Sequence, residues 1–440
     1  MIHHEPDITV ALMQQTHTAS LNLAGAYLLP DGRLVTGELT ARTAENRILL
    51  SDASGHIIGT APVLSLTPAD PAHACCTLHS VRIGIQFHWQ RSQTQTFRGG
   101  IMMSASNDGF FSVLNIIGLE DYLASVISSE MSAEAPLEFL KAQALTARSW
   151  LVAMLEKKKA PRAGQIRSND EICVWQDVND HHGFDVCADD HCQRYQGITN
   201  IISETVAQAM EATRGKFLID RDSICDARYS KCCGGRTDVF STAWEDASPP
   251  YLASITDHDK PRAAVVSEKD AARWFASSPS SYCNTDDPDI LRSILPSFDR
   301  ETLHFYRWRV AYSKEELQDI LLRKSGIDFG ELRHIIPLQR GPSGRIYRLR
   351  IVGEKRDMIV GKELEIRRWL SHTHLLSSAF VVTSEHDADG TIERFIFHGG
   401  GWGHGVGLCQ IGAAVMAVKG FPAEEILAHY FPGAHLRKLY

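Results

Sequence analysis

The residues of this chain that could do chemistry stand where helical periodicity asks for hydrophobes. In "GLEDYLASVISSEM", Leu119, Tyr122, Leu123, Val126 and Ile127 trace one face of a helix. The next positions on that face are 130 and 131; the second is methionine, but the first is glutamate. A carboxyl group ending an apolar stripe is partly desolvated, which raises its pKa and suits it to hold a proton at neutral pH. Glu130 is therefore a candidate general acid. Further on, Leu137, Leu140, Ala144, Leu151 and Leu155 form a second stripe, and Arg148 interrupts it. Two readings compete. In one, Glu130 and Arg148 form a buried ion pair that locks two helices. In the other, Glu130 is the acid, and Arg148 lies beyond direct contact, where it holds substrate or orients a neighbour. The readings conflict, because a close guanidinium lowers a carboxyl pKa and spoils an acid at neutral pH.

A second group lies in "DHHGFDVCADDHC", where His181, Cys187, His191 and Cys192 are spaced H-x5-C-x3-H-C. Two thiolates and two imidazoles suit tetrahedral Zn²⁺, although the spacing is not that of a zinc finger. His182 is an alternative to His181, and a Cys187–Cys192 disulfide is the rival reading. Four protein ligands leave no open position for water, so such a zinc is structural.

A third group is "HGGGWGHGVGLCQIGAA", from His398 to Ala414, which follows the strand-like "RFIF". Glycines at 401, 403, 405 and 407 fit neither G-x-G-x-x-G nor a Walker loop, and no second strand follows to complete a βαβ unit. No nucleotide cofactor is expected. Alternating glycines permit φ > 0 and close approach of the main chain to a ligand or to another stretch of chain. Trp402, His404 and Gln410 stand among and after them. A ring, an imidazole and an amide suit a sugar, with CH faces on the ring and hydroxyls on the polar groups. We expect the glycines to bring the main chain close to a saccharide.

The elements that must carry these groups read as follows. Residues 1–115 are mainly β, with short runs "DITVALM", "GRLVTGEL", "VRIGIQFHW" and "GFFSVLNIIG". Residues 118–158 turn helical; Pro136 opens the second helix and lysines 157–159 close it. Residues 160–200 are polar and irregular. A helix near 201–214 ends before Gly215, and "KFLID" is a strand. "YRWRVAYS" reads as a strand, "KEELQDILLRK" as a helix, and "GRIYRLRIVG" as part of a hairpin turned at "GPSG". No regular βαβ repeat appears, so the fold class is α+β.

Composition narrows the function. The chain has 440 residues, 44% hydrophobic and 22% charged, with net charge −8 and no long basic run. Nucleic-acid binding driven by charge is not expected. No apolar run spans a membrane. The start, "MIHHEPDITVALMQQTHTAS", shows no secretory signal, so either the protein stays inside or a native leader is missing from this chain. Most of the ten cysteines cluster between 173 and 233, which points to metal ligation or a buried thiol cluster rather than dispersed disulfides.

The stretches "YLASVISSEMSAEAPLEFLKAQALTARSWL" and "HGGGWGHGVGLCQIGAAVMAVKGFPAEEILAHYFPG" resemble the two signature blocks of the SpoIID/LytB family. That family comprises lytic transglycosylases of the stage II sporulation protein D type and amidase-enhancer proteins. "DVCADDHCQRYQG", "ARYSKCCGGRTDVFSTAWED" and "GKELEIRRWL" are also similar to it. The resemblance covers roughly 80–440. It implies three stretches: a β-rich N-terminal segment, 1–80; a core with the catalytic helices and the Cys/His loop, 81–260; and a second α+β part, 261–440, closing a cleft with the glycine-rich motif. It implies cleavage of the β-1,4 bond between N-acetylmuramic acid and N-acetylglucosamine in peptidoglycan strands stripped of peptides, leaving 1,6-anhydro ends. The family's catalytic glutamate falls on Glu130 and an arginine needed for activity on Arg148. One carboxyl group suffices for that reaction; Glu134 reads as a solvated loop residue. Some members hold zinc through a similar His and Cys set. The alternative role is a non-catalytic enhancer of a cell-wall amidase. The envelope location follows only from that substrate. Cys232-Cys233 depart from the serine-rich block of many relatives and read as a buried thiol pair. The hydroxyls of Tyr229 and Ser230 are candidate cleft-lining groups.

Overall fold

Short side chains set where the helices begin. We label the helices in chain order: α1 (Leu119–Glu130), α2 (Leu137–Lys157), α3 (Glu204–Thr213), α4 (Glu268–Phe275), α5 (Pro288–Ile294), α6 (Lys314–Ser325), α7 (Glu363–Trp369), α8 (Gln410–Val418) and α9 (Ala423–Tyr430). Ser203, Ser267, Asp287 and Ser313 accept backbone N–H bonds at the starts of α3, α4, α5 and α6. Gly326, at φ 74°, closes α6 in the left-handed conformation. The computed structural model describes residues 2–85, 90–157, 164–175, 181, 183–189, 191–200, 203–297 and 299–440. The end of the run "VRIGIQFHW", Lys158, Lys159 and His182 lie outside the described residues. Among the described residues no helix is long and apolar enough to cross a membrane. The class is α+β, with a mainly β N-terminal region, as the interleaved pattern implies.

The chain divides into two compact units. The first comprises Met1–Glu134, Val178–Lys216 and Lys438–Tyr440. Its large sheet runs from Val186–Cys187 through Asp7–Thr16, Phe111–Gly118, Gly100–Ala105 and Val63–Pro68 to Thr18–Leu28, Leu34–Ala44, Arg47–Asp52 and Ile57–Ala61. Cys75–Ile83 pairs with Thr18–Leu28 and carries Arg91–Phe97. Phe111–Gly118 leads straight into α1, whose stripe Leu119, Tyr122, Leu123, Val126 and Ile127 is wholly buried. Five such side chains each contribute about 1.5–3 kcal/mol on burial, which fixes the rotation of α1 and hence the direction of Glu130.

The second unit comprises 135–177 and 217–437. One sheet has the order Gln165–Arg167, Glu171–Val174, Asp357–Gly361, Ile346–Gly353, Leu332–Arg340, and the last two form the hairpin turned at Gly341–Gly344. A second sheet joins Trp308–Ser313, Ile392–Gly399 and Phe380–His386. Leu317, Ile320, Leu321, Leu349, Ile351, Ile366 and Trp369 belong to the core shared by these elements. Residues 165–174 are thus not irregular. Gln165–Arg167 pairs with residues 172–174, residues 171–173 pair in parallel with 359–361, and Arg348 forks onto the Glu171 carboxylate at 2.9 and 2.9 Å. The partners of 171–173 lie nearly two hundred residues away, so local composition could not reveal the strand. Helix α2 also departs from the one-stripe reading: Phe139 to Met154 is buried except at Lys141, because α8 and α9 pack against it.

Candidate functional site

In the first unit, Glu130 is the last residue of α1 and is 8% exposed. Its Oε1 accepts the backbone N–H of Arg194 at 3.0 Å. The segment that supplies this donor is held along the same helix. Gln196 donates its N–H to Ser125 Oγ at 3.1 Å, and Tyr195 donates its hydroxyl to Asn115 Oδ1 at 2.5 Å. The Tyr195 ring stacks on Tyr122 with centroids 5.0 Å apart. Glu134 is exposed, as a solvated loop residue should be.

The same segment carries the Cys/His group. Cys187 is fixed by parallel pairing to Ala11, and Asp189 caps the N–H groups of Gly84 and Ile85 at 2.9 and 2.7 Å. One ligand atom each from His181, Cys187, His191 and Cys192 lies within 4.8 Å of every other. The sulfur–nitrogen separations are 3.1 Å for Cys192–His181, 3.9 Å for Cys187–His191 and 3.5 Å for Cys192–His191. A tetrahedral zinc with bonds of about 2.3 Å to sulfur and about 2.0–2.1 Å to nitrogen sets that edge at about 3.6 Å, so the donor set fits the ion. Contact with Cys192, aided by His181 and His191, holds the Cys187 thiol far below its ordinary range, against the effect of burial. Burial first, then Cys192, Cys187 and Glu130, push the Tyr122 phenol well above its ordinary value. The Tyr122 phenol therefore feels the charge of the candidate acid and of two candidate metal ligands.

In the second unit, Arg148 sits mid-helix on α2 and is completely buried. Five residues before it, Gln143 is also completely buried, and neither polar atom of its amide has a hydrogen-bond partner among the described residues. Gln410, at the start of α8, is 1% exposed, and its Nε2 is likewise without a partner. Helices α2 and α8 pack together. A buried, unsatisfied amide costs about 1–3 kcal/mol, so such groups ask for a polar ligand or ordered water.

The glycine-rich loop precedes α8. Gly401, Gly403, Gly405 and Gly407 have φ of 82°, 92°, 73° and 72°. What comes close to them is the protein's own chain. A Cβ at 405 would stand 2.4 Å from the Arg345 guanidinium, and one at 407 would stand 2.1 Å from the Arg228 carbonyl oxygen. This corrects the expectation that they make room for a saccharide. The completely buried Arg345 donates to the carbonyls of Gly403 and Cys233, each at 3.0 Å, and so organises the loop from beneath.

The loop's side chains are half-buried. Trp402 exchanges backbone hydrogen bonds with Cys232 at 2.8 and 3.0 Å, and Lys231 Nζ lies 5.9 Å from its ring centre. His404 Nδ1 accepts the Val406 N–H at 3.0 Å, and its other nitrogen donates to the Tyr229 carbonyl. Burial, then Arg228, Arg345 and Arg367, hold its pKa well below the ordinary imidazole range. His404 is thus a neutral ring whose two nitrogens serve the main chain. It meets Trp244 edge-on at 4.8 Å, while the Arg228 guanidinium lies 4.0 Å above the Trp244 ring centre. Tyr229 and Ser230 form a short strand beside Leu408–Cys409, and Ser230 Oγ accepts the Gly405 N–H at 3.1 Å. Ser230 is buried and Tyr229 half-exposed.

Gln143, Arg228, Trp244 and Arg345 were not selected by sequence reasoning. Gln143 had a signal of the kind that marked Glu130, an unpaired polar group on a helix buried nearly all round. The other three became visible only through tertiary contacts.

Comparison with known proteins agrees with these motifs. Residues 107–219 match the family model described as Stage II sporulation protein (SpoIID), and residues 238–407 match one described as Domain of unknown function (DUF8618). The chain is 26% identical to an uncharacterized protein of Brachyspira hyodysenteriae, over 80% of this chain and 76% of that one. It is 24% identical to the stage II sporulation protein D of Bacillus amyloliquefaciens, over 73% of this chain and 74% of the relative. With the amidase enhancer of Bacillus subtilis it shares 26% identity, over 71% of this chain and 40% of the relative. The helix that ends in Glu130, the loop that leads into Gln410 and these matches together support the likeness of the chain to the SpoIID/LytB family, whose stage II sporulation protein model matches residues 107–219.

Proposed function

We propose that this protein acts on the bacterial cell wall as a lytic transglycosylase that cleaves the β-1,4 bond between N-acetylmuramic acid and N-acetylglucosamine in stripped glycan strands. Glu130 is the acid and base. Its carboxyl group protonates the leaving glycosidic oxygen. The resulting carboxylate takes the proton from the muramic C6 hydroxyl as that oxygen bonds to the anomeric carbon, which closes the 1,6-anhydro ring. Water is not the nucleophile, so no second carboxylate is needed. The observation that carries this reading is a carboxyl group 8% exposed at the end of an apolar helix face, with the Arg194 N–H among its hydrogen-bond partners.

Arg148, Gln143 and Gln410 are assigned to substrate. The two amides have unused donors, and those donors suit sugar hydroxyls. The half-exposed rings of Trp402 and Trp244 suit the CH faces of a saccharide. His404 supports the loop by hydrogen bonds to the main chain and moves no proton. Tyr229 offers a hydroxyl, whereas Ser230 serves the loop. His181, Cys187, His191 and Cys192 would hold a zinc ion. With four protein donors it would supply structure alone, pinning the segment whose Arg194 N–H orients Glu130.

A second reading is favoured by the likeness to an amidase enhancer: the chain binds glycan or a cell-wall amidase without cutting. Stripped glycan strands incubated with the purified protein, and their products read by mass spectrometry, separate the two. Anhydro-muramyl ends from the protein alone support the transglycosylase. Their absence, with faster turnover of an added N-acetylmuramoyl-L-alanine amidase, supports the enhancer.

A further inference from the structure

The thiols of Cys233, Cys283 and Cys409 and the carboxyl group of Asp257 come from four segments far apart in sequence, all in the second unit. One ligand atom from each lies within 4.8 Å of every other, and all four residues are buried, Cys233 at 3% exposed and the rest at 0%. Disulfides do not account for them, since the cysteines are free and the Cys233 and Cys283 sulfurs are 3.7 Å apart. We propose that these four residues form a second metal site, closed and structural, that binds a single Zn²⁺ through three thiolates and one carboxylate. It is independent of the His181 cluster and of the transglycosylase reading.

Distances and chemistry both support a single ion. Zinc–sulfur bonds of about 2.3 Å at tetrahedral angles separate two sulfurs by about 3.8 Å, close to the 3.7 Å between Cys233 and Cys283. A [4Fe–4S] cluster places each thiolate on a different iron and a [2Fe–2S] cluster places two on each, so in either case some ligand atoms on different irons stand further apart than the 4.8 Å that encloses all four here. Soft thiolates in a four-donor set select zinc over calcium or magnesium.

The groups around the donors orient them. The Cys233 N–H donates to Cys409 Sγ at 3.1 Å. The Cys283 N–H donates to Asp257 Oδ2 at 2.8 Å, and the Tyr430 hydroxyl donates to Asp257 Oδ1 at 2.5 Å. One donor on each oxygen leaves a lone pair on each for a metal. Three thiolates and a carboxylate carry four negative charges, of which the ion offsets two. The Arg345 guanidinium on the Cys233 carbonyl and the Arg307 guanidinium on the Gly234 carbonyl, at 3.0 and 3.1 Å, bring positive charge to the same turn. Cys409 immediately precedes Gln410, and Cys233 follows the residue paired with Trp402. The ion would therefore tie the glycine-rich loop at both sides.

Metal analysis of the full chain, purified under reducing conditions with zinc supplied, tests the site. Cys283→Ser and Cys409→Ser should each lower bound zinc by one equivalent against the wild type, while Cys75→Ser leaves the count unchanged. Equal zinc in the wild type and in folded Cys283→Ser overturns the proposal. Should these variants fail to fold, the Cys187→Ser chain, which lacks the other cluster, is loaded with cobalt(II). Thiolate-to-cobalt absorption in that chain supports the site, and its absence overturns it. A Cys233–Cys283 disulfide, found by alkylation and mass spectrometry, also overturns it.

Discussion

Replacing Gly405 with alanine tests whether the loop glycines answer to the protein's own packing. Gly405 has φ +73°, where an L-residue costs about 1–2 kcal/mol. The added methyl group would stand 2.4 Å from Cζ and Nη1 of Arg345, so the guanidinium must move. Arg345 is fully buried and donates at 3.0 Å to the carbonyls of Gly403 and Cys233 and to Ser343 Oγ. Breaking one hydrogen bond of a charged group costs about 1.5–3 kcal/mol. The expected loss is therefore about 2.5–5 kcal/mol. Gly420 is the control: its φ is +90°, yet nothing lies within 4 Å of its added Cβ, so only the backbone cost of about 1–2 kcal/mol remains. Urea unfolding followed by tryptophan fluorescence compares the three chains. If the Gly405→Ala midpoint falls no further than that of Gly420→Ala, the close approach of Arg345 is not what position 405 requires, and the reasoning is wrong.

Further expectations concern the site. Tyr195→Phe removes the donor to Asn115 Oδ1 and should cost about 1–3 kcal/mol, seen as a lower urea midpoint; an unchanged midpoint contradicts the packing described for the segment whose Arg194 N–H meets Glu130. His404 has a folded pKa depressed by burial and by nearby arginines, so its stabilising contribution is complete above about pH 6.5, the unfolded value, and is lost as pH falls below it. Nitrogen NMR should show a neutral His404 ring at pH 6, and titration near 6.5 would rule out the environment described. Gln410→Leu removes a buried amide nitrogen that lacks a partner. Stability should hold or rise by up to about 1 kcal/mol while binding to stripped glycan weakens about tenfold; equal binding removes Gln410 from the substrate contacts.

Much of the scaffold was legible because it is local. The stripe from Leu119 to Ile127 gave both the helix and its buried side, and with them the odd position of Glu130. The Gly341–Gly344 turn announced its hairpin, and Gly215 marked the end of α3. What stayed hidden depends on distant partners. The strand at 171–174 exists because of 357–361, and the role of Gly405 exists because of Arg345. Cys232-Cys233 read as a thiol pair, since nothing near them announces Cys283 or Cys409. The alternation of glycines signalled close approach correctly, but the approaching group could not be named without the fold.

The most direct test is the rate at which Glu130→Gln releases anhydro-muropeptides from stripped glycan strands, with unfolding followed in parallel. Glutamine keeps an oxygen to accept the Arg194 N–H but cannot exchange a proton, so the fold should persist with a midpoint near wild type. Release should fall by about 10²–10⁴-fold, the range general acid–base catalysis supplies. A folded Glu130→Gln protein that cuts at the wild-type rate would contradict the assignment of Glu130 as the acid and base.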